Sequence, residues 1–497
     1  MKDIITIEIV DMTEEGAGIG HISRPSNETS STEALEIKSK ERGMTVFVSG
    51  GAAFGDVVSC EITKVKKNYA LANLVKVIEH SKYRREDVCQ YINDCGGCAF
   101  GMLDYNAQLE LKVTQLKSKL VRIAGVENPV INPILPYESY LSEFENDIKD
   151  KLTLGYRNKA VMAVGEDDLG NPIVGFRASK SHKIIDCICC RIQQPTVMAL
   201  ADALRTFMRE YGVRAYNPKT KEGLIKSLMV RTAYDTKEVM AAITISGKGI
   251  PNAEEFSYML DDSIRALDGE YSLESIVIIS ERRRVEGNKA KNSGEMASAK
   301  SYVLAGKQRI KDRLMGLRFD ISAESFYQVN SEQTVRLYEE VLRMLDAKEG
   351  EKIIDAYCGI GTIGLIAAAR TKADFMGIES VPQAVIDANK NAIRNLIVNA
   401  LFVEGRAEDV LTEFADRFAH PDAVIVDPPR AGCASGLIDA IIKAKPSRVI
   451  YVSCDQGTLA RDIKLLIEGG YELKETTPCD MFPDTGGLES VSLLAPK

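Results

Sequence analysis

The sequence lacks any long hydrophobic run. Its most apolar stretches, 363–369 and 423–426, fall far short of the roughly 20 residues that a bilayer-spanning helix needs, so no membrane segment is expected. A secretory leader is missing as well: MKDIITIEIVDMTEEG alternates apolar and charged residues without a basic start, an apolar core or a small-residue cleavage site. A cytoplasmic location is the expectation. There is also no excess of positive charge. With 63 Lys and Arg against 71 Asp and Glu, the formal net charge is −8, so nothing draws the whole chain toward nucleic acid and local patches must do so if anything does. The candidates are Lys64/Lys66/Lys67, Lys82/Arg84/Arg85 and Arg282/Arg283/Arg284, although such runs are commonly no more than solvated surface. Internal repeats are absent.

What is present describes a multidomain globular chain. Its 497 residues are too many for one ordinary core, and 45% hydrophobic with 27% charged residues is globular composition. Eleven cysteines in a leaderless chain point away from disulfides and toward metal binding or catalysis. Residues 4–79 read as short alternating strands (ITIEIV, TVFVSG, VVSCEITKV) broken by glycine turns at 16–20 and 50–55, the pattern of a small β-barrel. The Ser/Thr/Glu-rich stretch 24–40 reads as an inserted loop and 80–87 as a polar hinge. In 104–123, Leu109, Val113, Leu116, Leu120 and Ile123 recur at helical spacing and predict an amphipathic helix. Residues 150–320 mix both patterns. From Ser325 onward strands and helices alternate: helix 331–346, strand 352–357, helix 362–370, strand 374–379, helix 382–396, strands 401–404 and 423–427, helix 435–442 and strand 448–453. That alternation predicts a doubly wound, Rossmann-like α/β sheet. The expected division is a barrel over 2–79, an α+β region with a cysteine cluster over 80–320, and an α/β domain over 321–497 on which the helix 104–123 can pack.

Three motifs fall at strand ends of that last domain. Glu351-Lys-Ile-Ile-Asp-Ala-Tyr-Cys-Gly-Ile-Gly-Thr362 is a strand running into Gly359 and Gly361, with Gly364 completing a GxGxxG pattern at a helix start. Glycines there let the backbone turn tightly and approach a ligand. A plain strand–helix turn or a nicotinamide site would show the same glycines. Asp355 on the strand and Glu379 at the end of the next one suit the amino acid and ribose ends of S-adenosylmethionine. Val426-Asp-Pro-Pro-Arg430 follows the fourth strand, Val452-Ser-Cys454 ends the fifth, and Met481-Phe-Pro-Asp-Thr-Gly-Gly-Leu-Glu489 precedes the last. Ligands of open α/β sheets bind beyond the carboxyl ends of the strands, so the first two motifs share a crevice with the glycine loop.

Taken with Ser325-Phe-Tyr-Gln-Val-Asn330, the segments Asp355–Thr362, DPPR, SCDQGTLARD and MFPDTGGLE resemble the RNA uracil-5 methyltransferases, the 5-methyluridine synthases. The resemblance implies Cys454 as nucleophile, Glu489 as base and Asp427 as the acid that orients the uracil. Gln328, Asp355, Tyr357, Gly359, Gly361 and Glu379 are implied on the cofactor side, with Asp427 bordering it. The chemistry suits these residue types. Carbon 5 of uracil is a poor nucleophile until a thiolate adds at carbon 6, and a base must later remove the proton at carbon 5. One departure is that family members often carry histidine in the MFP box, whereas this chain has none after His420.

Cys89, Cys95 and Cys98 form a Cys-x5-Cys-x2-Cys pattern, a metal signal that needs a fourth thiolate from Cys187, Cys189 or Cys190. The family's ribosomal branch looks similar in carrying a [4Fe–4S] cluster on such a triplet, which implies Cys190 as the fourth ligand; zinc on four thiolates is the alternative. Radical chemistry is not expected, since the Cys-x3-Cys-x2-Cys loop is absent. The N-terminal module resembles the TRAM domain, and Tyr156-Arg-Asn-Lys159 looks like a family segment whose Arg157 and Lys159 would contact RNA phosphates. The implied partner is RNA, with 23S ribosomal RNA favoured over the T-loop of tRNA, and the chain is expected to act as a monomer. An inactive RNA scaffold and an exocyclic-amine methyltransferase are the competing readings. Cys454 and Glu489 speak against both.

Overall fold

The computed structural model describes residues 3–22, 43–86, 88–138, 154–179, 181–281, 300–418 and 420–497. The expected loop at 24–40 and the basic run Arg282/Arg283/Arg284 lie outside these residues. The chain divides into two compact units: Met1–Gln115 with Arg177–Lys183 and Phe482–Gly487, and Leu116–Phe176 with Ile184–Met481 and Leu488–Lys497.

In the first unit, the alternating strands close as expected. Ile4–Met12, Gly18–His21, Thr45–Ser49, Val57–Val65 and Tyr69–Glu79 form a barrel. Every second side chain points inward, so Ile7, Ile9, Val46, Val48, Val58 and Ala70 fill it. The basic run beside the barrel is not an open patch. Arg84 donates to Asp56 at 2.6 Å and to the Gly51 carbonyl at 2.9 Å, and Arg85 pairs with Asp484 at 3.4 Å with both side chains nearly inaccessible. Two of its three cations therefore hold the fold.

The expected helix runs Tyr105–Arg122, but its buried face differs from the apolar stripe. Leu109 and Val113 are half-buried and Ile123 is exposed, while Gln108 and Lys112 are fully buried. Gln108 donates to Asp484 and to the Leu103 carbonyl, each at 3.0 Å, and Lys112 donates to the Phe482 carbonyl at 3.1 Å. Hydrogen bonds to residues more than 350 positions away offset the desolvation of both groups, which periodicity cannot register. Further along the same helix, Leu116 and Leu120 join the core of the α/β sheet.

The second unit holds two seven-stranded sheets. One is the middle region, where Lys159–Glu166 and Ile225–Thr232 lie at the centre as antiparallel neighbours. The other is the doubly wound sheet. Its first five strands in spatial order are Ala400–Glu404, Asp374–Glu379, Lys352–Ala356, Ala423–Val426 and Arg448–Ser453, all parallel. Glu489–Pro496 then inserts antiparallel between Arg448–Ser453 and Tyr471–Cys479. Two helices that the pattern did not resolve, Ala407–Phe418 and Gln456–Glu468, complete the layers. The second starts at Asp455, whose side chain accepts from the Gly457 and Thr458 amides at 2.9 and 2.8 Å.

Asp462 on that helix is a tie point. Wholly buried, it accepts from the Tyr451 hydroxyl at 2.7 Å, the Cys433 amide at 2.8 Å and Arg461 Nε at 2.7 Å, so it joins the fifth strand to the loop after Asp-Pro-Pro-Arg. Removing the carboxylate strands a buried hydroxyl and a buried amide, each costing about 1–3 kcal/mol. Asp462→Ala is expected to destabilise the second unit by about 3 kcal/mol and Tyr451→Phe by about 1 kcal/mol, as read from urea midpoints; equal midpoints for wild type and Asp462→Ala would refute the tie.

Candidate active site

The catalytic candidates come together because of strand direction. Asp427 follows the end of Ala423–Val426, and Cys454 follows the end of the adjacent, parallel Arg448–Ser453. Glu489 opens a strand that runs the other way, so its beginning lies at the same edge: Ser453 pairs with Ser490, which sets Glu489 beside Cys454. Neighbouring strands lie roughly 4.8 Å apart. Three residues separated by up to 62 positions thus meet at one sheet edge.

Burial governs their protonation. Glu489 is 3% exposed, and desolvation, reinforced by the Asp427 charge and opposed by Arg430, holds its carboxyl well above the usual carboxylate range. Burial pushes Asp427 up to about 7. The Cys454 thiol is pushed up to about 12 by burial first, then by Glu489 and Asp427, with Arg430 opposing. Glu489 Oε2 is buried without a hydrogen-bond partner. Arg430, to which the motifs gave no role, is a cation close enough to lower both the thiol and the Glu489 carboxyl.

The cofactor side is built on the next two strands. Asp355 is 1% exposed; its Oδ2 accepts from the Gly364 amide at 3.0 Å while Oδ1 has no partner. Burial, with Asp427 and Glu379 nearby, pushes this carboxyl up to about 8 against the pull of the Gly364 amide. Glu379 accepts from the Gly359 amide at 3.2 Å and the Val381 amide at 2.8 Å, pinning the glycine loop to the neighbouring strand. Gly359 at φ +55° has nothing within 4 Å of where a Cβ would stand, whereas a Cβ on Gly361 at φ +81° would strike the Phe402 ring at 2.7 Å. The first glycine opens space and the second permits packing. Tyr357 also takes a left-handed conformation, at φ 64°, and its hydroxyl accepts from the Ala434 amide at 3.3 Å. An unpaired buried carboxylate oxygen above an open glycine turn fits the ammonium end of S-adenosylmethionine.

Other residues were invisible in the motifs. Tyr338 is buried, its hydroxyl 2.9 Å from Thr362 Oγ1 at the start of the helix after the glycines. Burial, then Asp427, Asp355 and Glu489, keep it protonated. Asn330 accepts from the Gln333 amide at 3.2 Å to cap the helix Ser331–Leu345 and donates to the Met481 carbonyl at 3.1 Å. Gln328 is buried on the segment before it. Arg157 and Lys159 stay at the middle sheet, where Arg157 Nε donates to the Lys159 carbonyl at 3.2 Å.

Of the cysteines expected to share a metal, Cys89, Cys95 and Cys98 lie in the first unit and Cys190 in the second. Among the described residues, no three or more His, Cys, Asp or Glu side chains converge to hold a metal ion. The loop's course is set by its backbone: the Ile92 amide donates to the Cys89 carbonyl at 2.9 Å, and Cys95 pairs with Ala178 as an isolated bridge. Cys190 lies against Cys187, a contact that lowers its thiol to about 7 despite burial, and Cys187 Sγ donates to the Cys189 carbonyl at 3.0 Å.

The profile of the tRNA (uracil-5-)-methyltransferase family matches residues 290–497, and that of the TRAM domain matches residues 3–75. An uncharacterized RNA methyltransferase of Caldanaerobacter subterraneus is 37% identical over 98% of this chain and 97% of its own length, and one from Bacillus cereus is 35% identical over 99% and 97%. The crystal structure of Pyrococcus abyssi tRNA (uracil-54, C5)-methyltransferase in complex with S-adenosyl-L-homocysteine superposes with a TM-score of 0.68 at 26% identity, covering 100% of both chains. By its sequence over nearly the whole length, the chain belongs to the S-adenosylmethionine-dependent RNA uracil-5 methyltransferases that carry an N-terminal TRAM domain.

Proposed function

We propose that this enzyme methylates carbon 5 of one uridine in 23S ribosomal RNA through a covalent adduct with Cys454. The observation that carries the mechanism is the meeting of Cys454, Asp427 and Glu489 at one sheet edge, with a Glu489 oxygen buried and unpaired. S-adenosylmethionine supplies the methyl group as an electrophile on a positively charged sulfur. Asp355 and Glu379 hold its amino acid and ribose ends, with Gln328, Tyr357, Gly359 and Gly361 along the same cradle. Asp427 hydrogen-bonds the uracil ring and orients it. Cys454 releases its proton to solvent and adds as the thiolate to carbon 6, which makes carbon 5 nucleophilic enough to take the methyl group as S-adenosylhomocysteine leaves; Glu489, as the carboxylate, then takes the proton from carbon 5, and the sulfur–carbon bond breaks to restore the ring and the thiolate. A thiol pushed up to about 12 is protonated at neutral pH, so positive charge brought into the site, with Arg430, serves to lower thiol and carboxyls together. The target uridine must be unpaired or flipped to expose carbon 6, and Arg157 and Lys159 are proposed to hold its flanking phosphates.

Ribosomal RNA is favoured by the joint presence of the barrel and the cysteine triplet. The tRNA T-loop is the second reading, favoured by the full-length likeness to a tRNA (uracil-54, C5)-methyltransferase. Mass spectrometry of RNA from cells with and without the gene tests both, by whether 5-methyluridine disappears from 23S ribosomal RNA or from tRNA. The iron–sulfur cluster on Cys89, Cys95, Cys98 and Cys190 is supported by spacing and resemblance alone. Iron and sulfide analysis of anaerobically purified protein decides it: stoichiometric iron and sulfide would establish the cluster, and their absence would overturn it.

Two outcomes are expected of the catalytic pair. Cys454→Ala should neither methylate RNA nor form a denaturation-resistant adduct with 5-fluorouridine RNA, whereas Glu489→Gln should add and methylate, then stall as an accumulating adduct with turnover down by about 10²–10⁴. A fluorouridine adduct in Cys454→Ala on a denaturing gel would remove that residue from its role. On the cofactor side, Asp355→Ala and Glu379→Ala should each weaken S-adenosylmethionine binding by roughly tenfold to a hundredfold, the worth of one charge-assisted hydrogen bond. Unchanged calorimetric affinity in both variants would leave the glycine loop as a turn.

A further inference from the structure

The Tyr156-Arg-Asn-Lys159 segment reads in the sequence as a pair of phosphate ligands, yet its most constrained residue is the uncharged one between them. Asn158 is 3% exposed. Its backbone amide donates to the Val329 carbonyl at 2.7 Å. Its side-chain amide donates to the Gln328 carbonyl at 2.9 Å and to Ser331 Oγ at 3.0 Å. Its own carbonyl accepts from the Thr232 amide at 2.9 Å on the next strand of the middle sheet. One residue earlier, Arg157 pairs with Asn330 as an isolated antiparallel bridge. Near the other end of the segment, Arg231, which lies opposite Lys159 in register and is 1% exposed, donates to the Ser325 carbonyl at 2.7 Å.

The clamped piece, Ser325 to Val329, has no regular secondary structure, so no helix or strand ladder fixes its backbone. Its course depends on such outside donors. We infer that Asn158 is a positioning residue for the cofactor site: it fixes the peptide of Gln328 and, through Ser331, the first residue of the following helix, so that Gln328 is presented to the cofactor before it binds. This rests on the proposed cofactor role of Gln328. Preorganising a binding group raises affinity without adding a contact to the ligand.

Calorimetric titration of the full-length chain with S-adenosylmethionine tests the inference. Asn158→Ala is expected to weaken binding about tenfold, with hydrogen exchange rising in 325–331 and not across the rest of the second unit. The double variant Asn158→Ala/Gln328→Ala should bind no more weakly than Gln328→Ala alone, because a positioning residue has nothing left to position. Ser331→Ala removes one of the two acceptors of the Asn158 amide and should weaken binding about threefold; it carries the test if Asn158→Ala does not fold. Unchanged affinity in Asn158→Ala beside a weakened Gln328→Ala would overturn the positioning role alone, as would losses that simply multiply in the double variant. Unchanged affinity in Gln328→Ala would overturn the cofactor role of Gln328, and the positioning role with it.

Discussion

Everything at this site depends on keeping several acids out of water without pairing them internally. Asp355, Asp427 and Glu489 all sit at the carboxyl edge of the sheet, and each is raised by burial before any neighbour acts. A fold selected for stability alone would pair or expose such groups. Here Asp355 and Glu489 each keep one buried oxygen without a hydrogen-bond partner. The cost is localised at the strand ends, beneath which Ile353, Ile354, Val424, Ile450 and Val452 form an apolar floor that is almost fully buried.

That arrangement needs rigid supports, and they are mostly neutral or singly charged side chains bonded to backbone. Asp455 caps the helix after Cys454, Asp462 ties that helix to the fifth strand and to the loop after Asp427, and Glu379 holds the glycine turn. Asn330 and Asn158 do the same for the segment that bears Gln328. Each joins elements that are distant in sequence, so the site is set by a network of side chain to backbone bonds laid over a sheet whose order already fixes the approximate positions.

Local pattern does not fix three-dimensional partners. The loop that bears Cys89, Cys95 and Cys98 takes its course from backbone pairing with Arg177 and Ala178, about 80 positions further along the chain. The basic run at 82–85 is a similar case. Arg84 and Arg85 have carboxylate partners 28 and 399 residues away in sequence, and no local reading of charge could have found them.

The sequence by itself determined the barrel, the alternating α/β order and the placing of Asp355, Asp427 and Cys454 at strand ends, because strand periodicity and glycine-marked turns are local properties of the chain. It also marked Cys454 and Glu489 as the proposed catalytic pair. Only the tertiary structure decided that the last strand inserts antiparallel beside the fifth, which turns the start of that strand, Glu489, toward Cys454. It alone decided which face of the helix Tyr105–Arg122 is buried, that Tyr338 lies within electrostatic reach of Asp427 and Arg430 of Cys454, and that Asn158 faces the backbone of Gln328. The physical reason is the same in each case: a buried polar group is stable only where a partner meets it, and those partners are brought within reach by folding rather than by proximity along the chain.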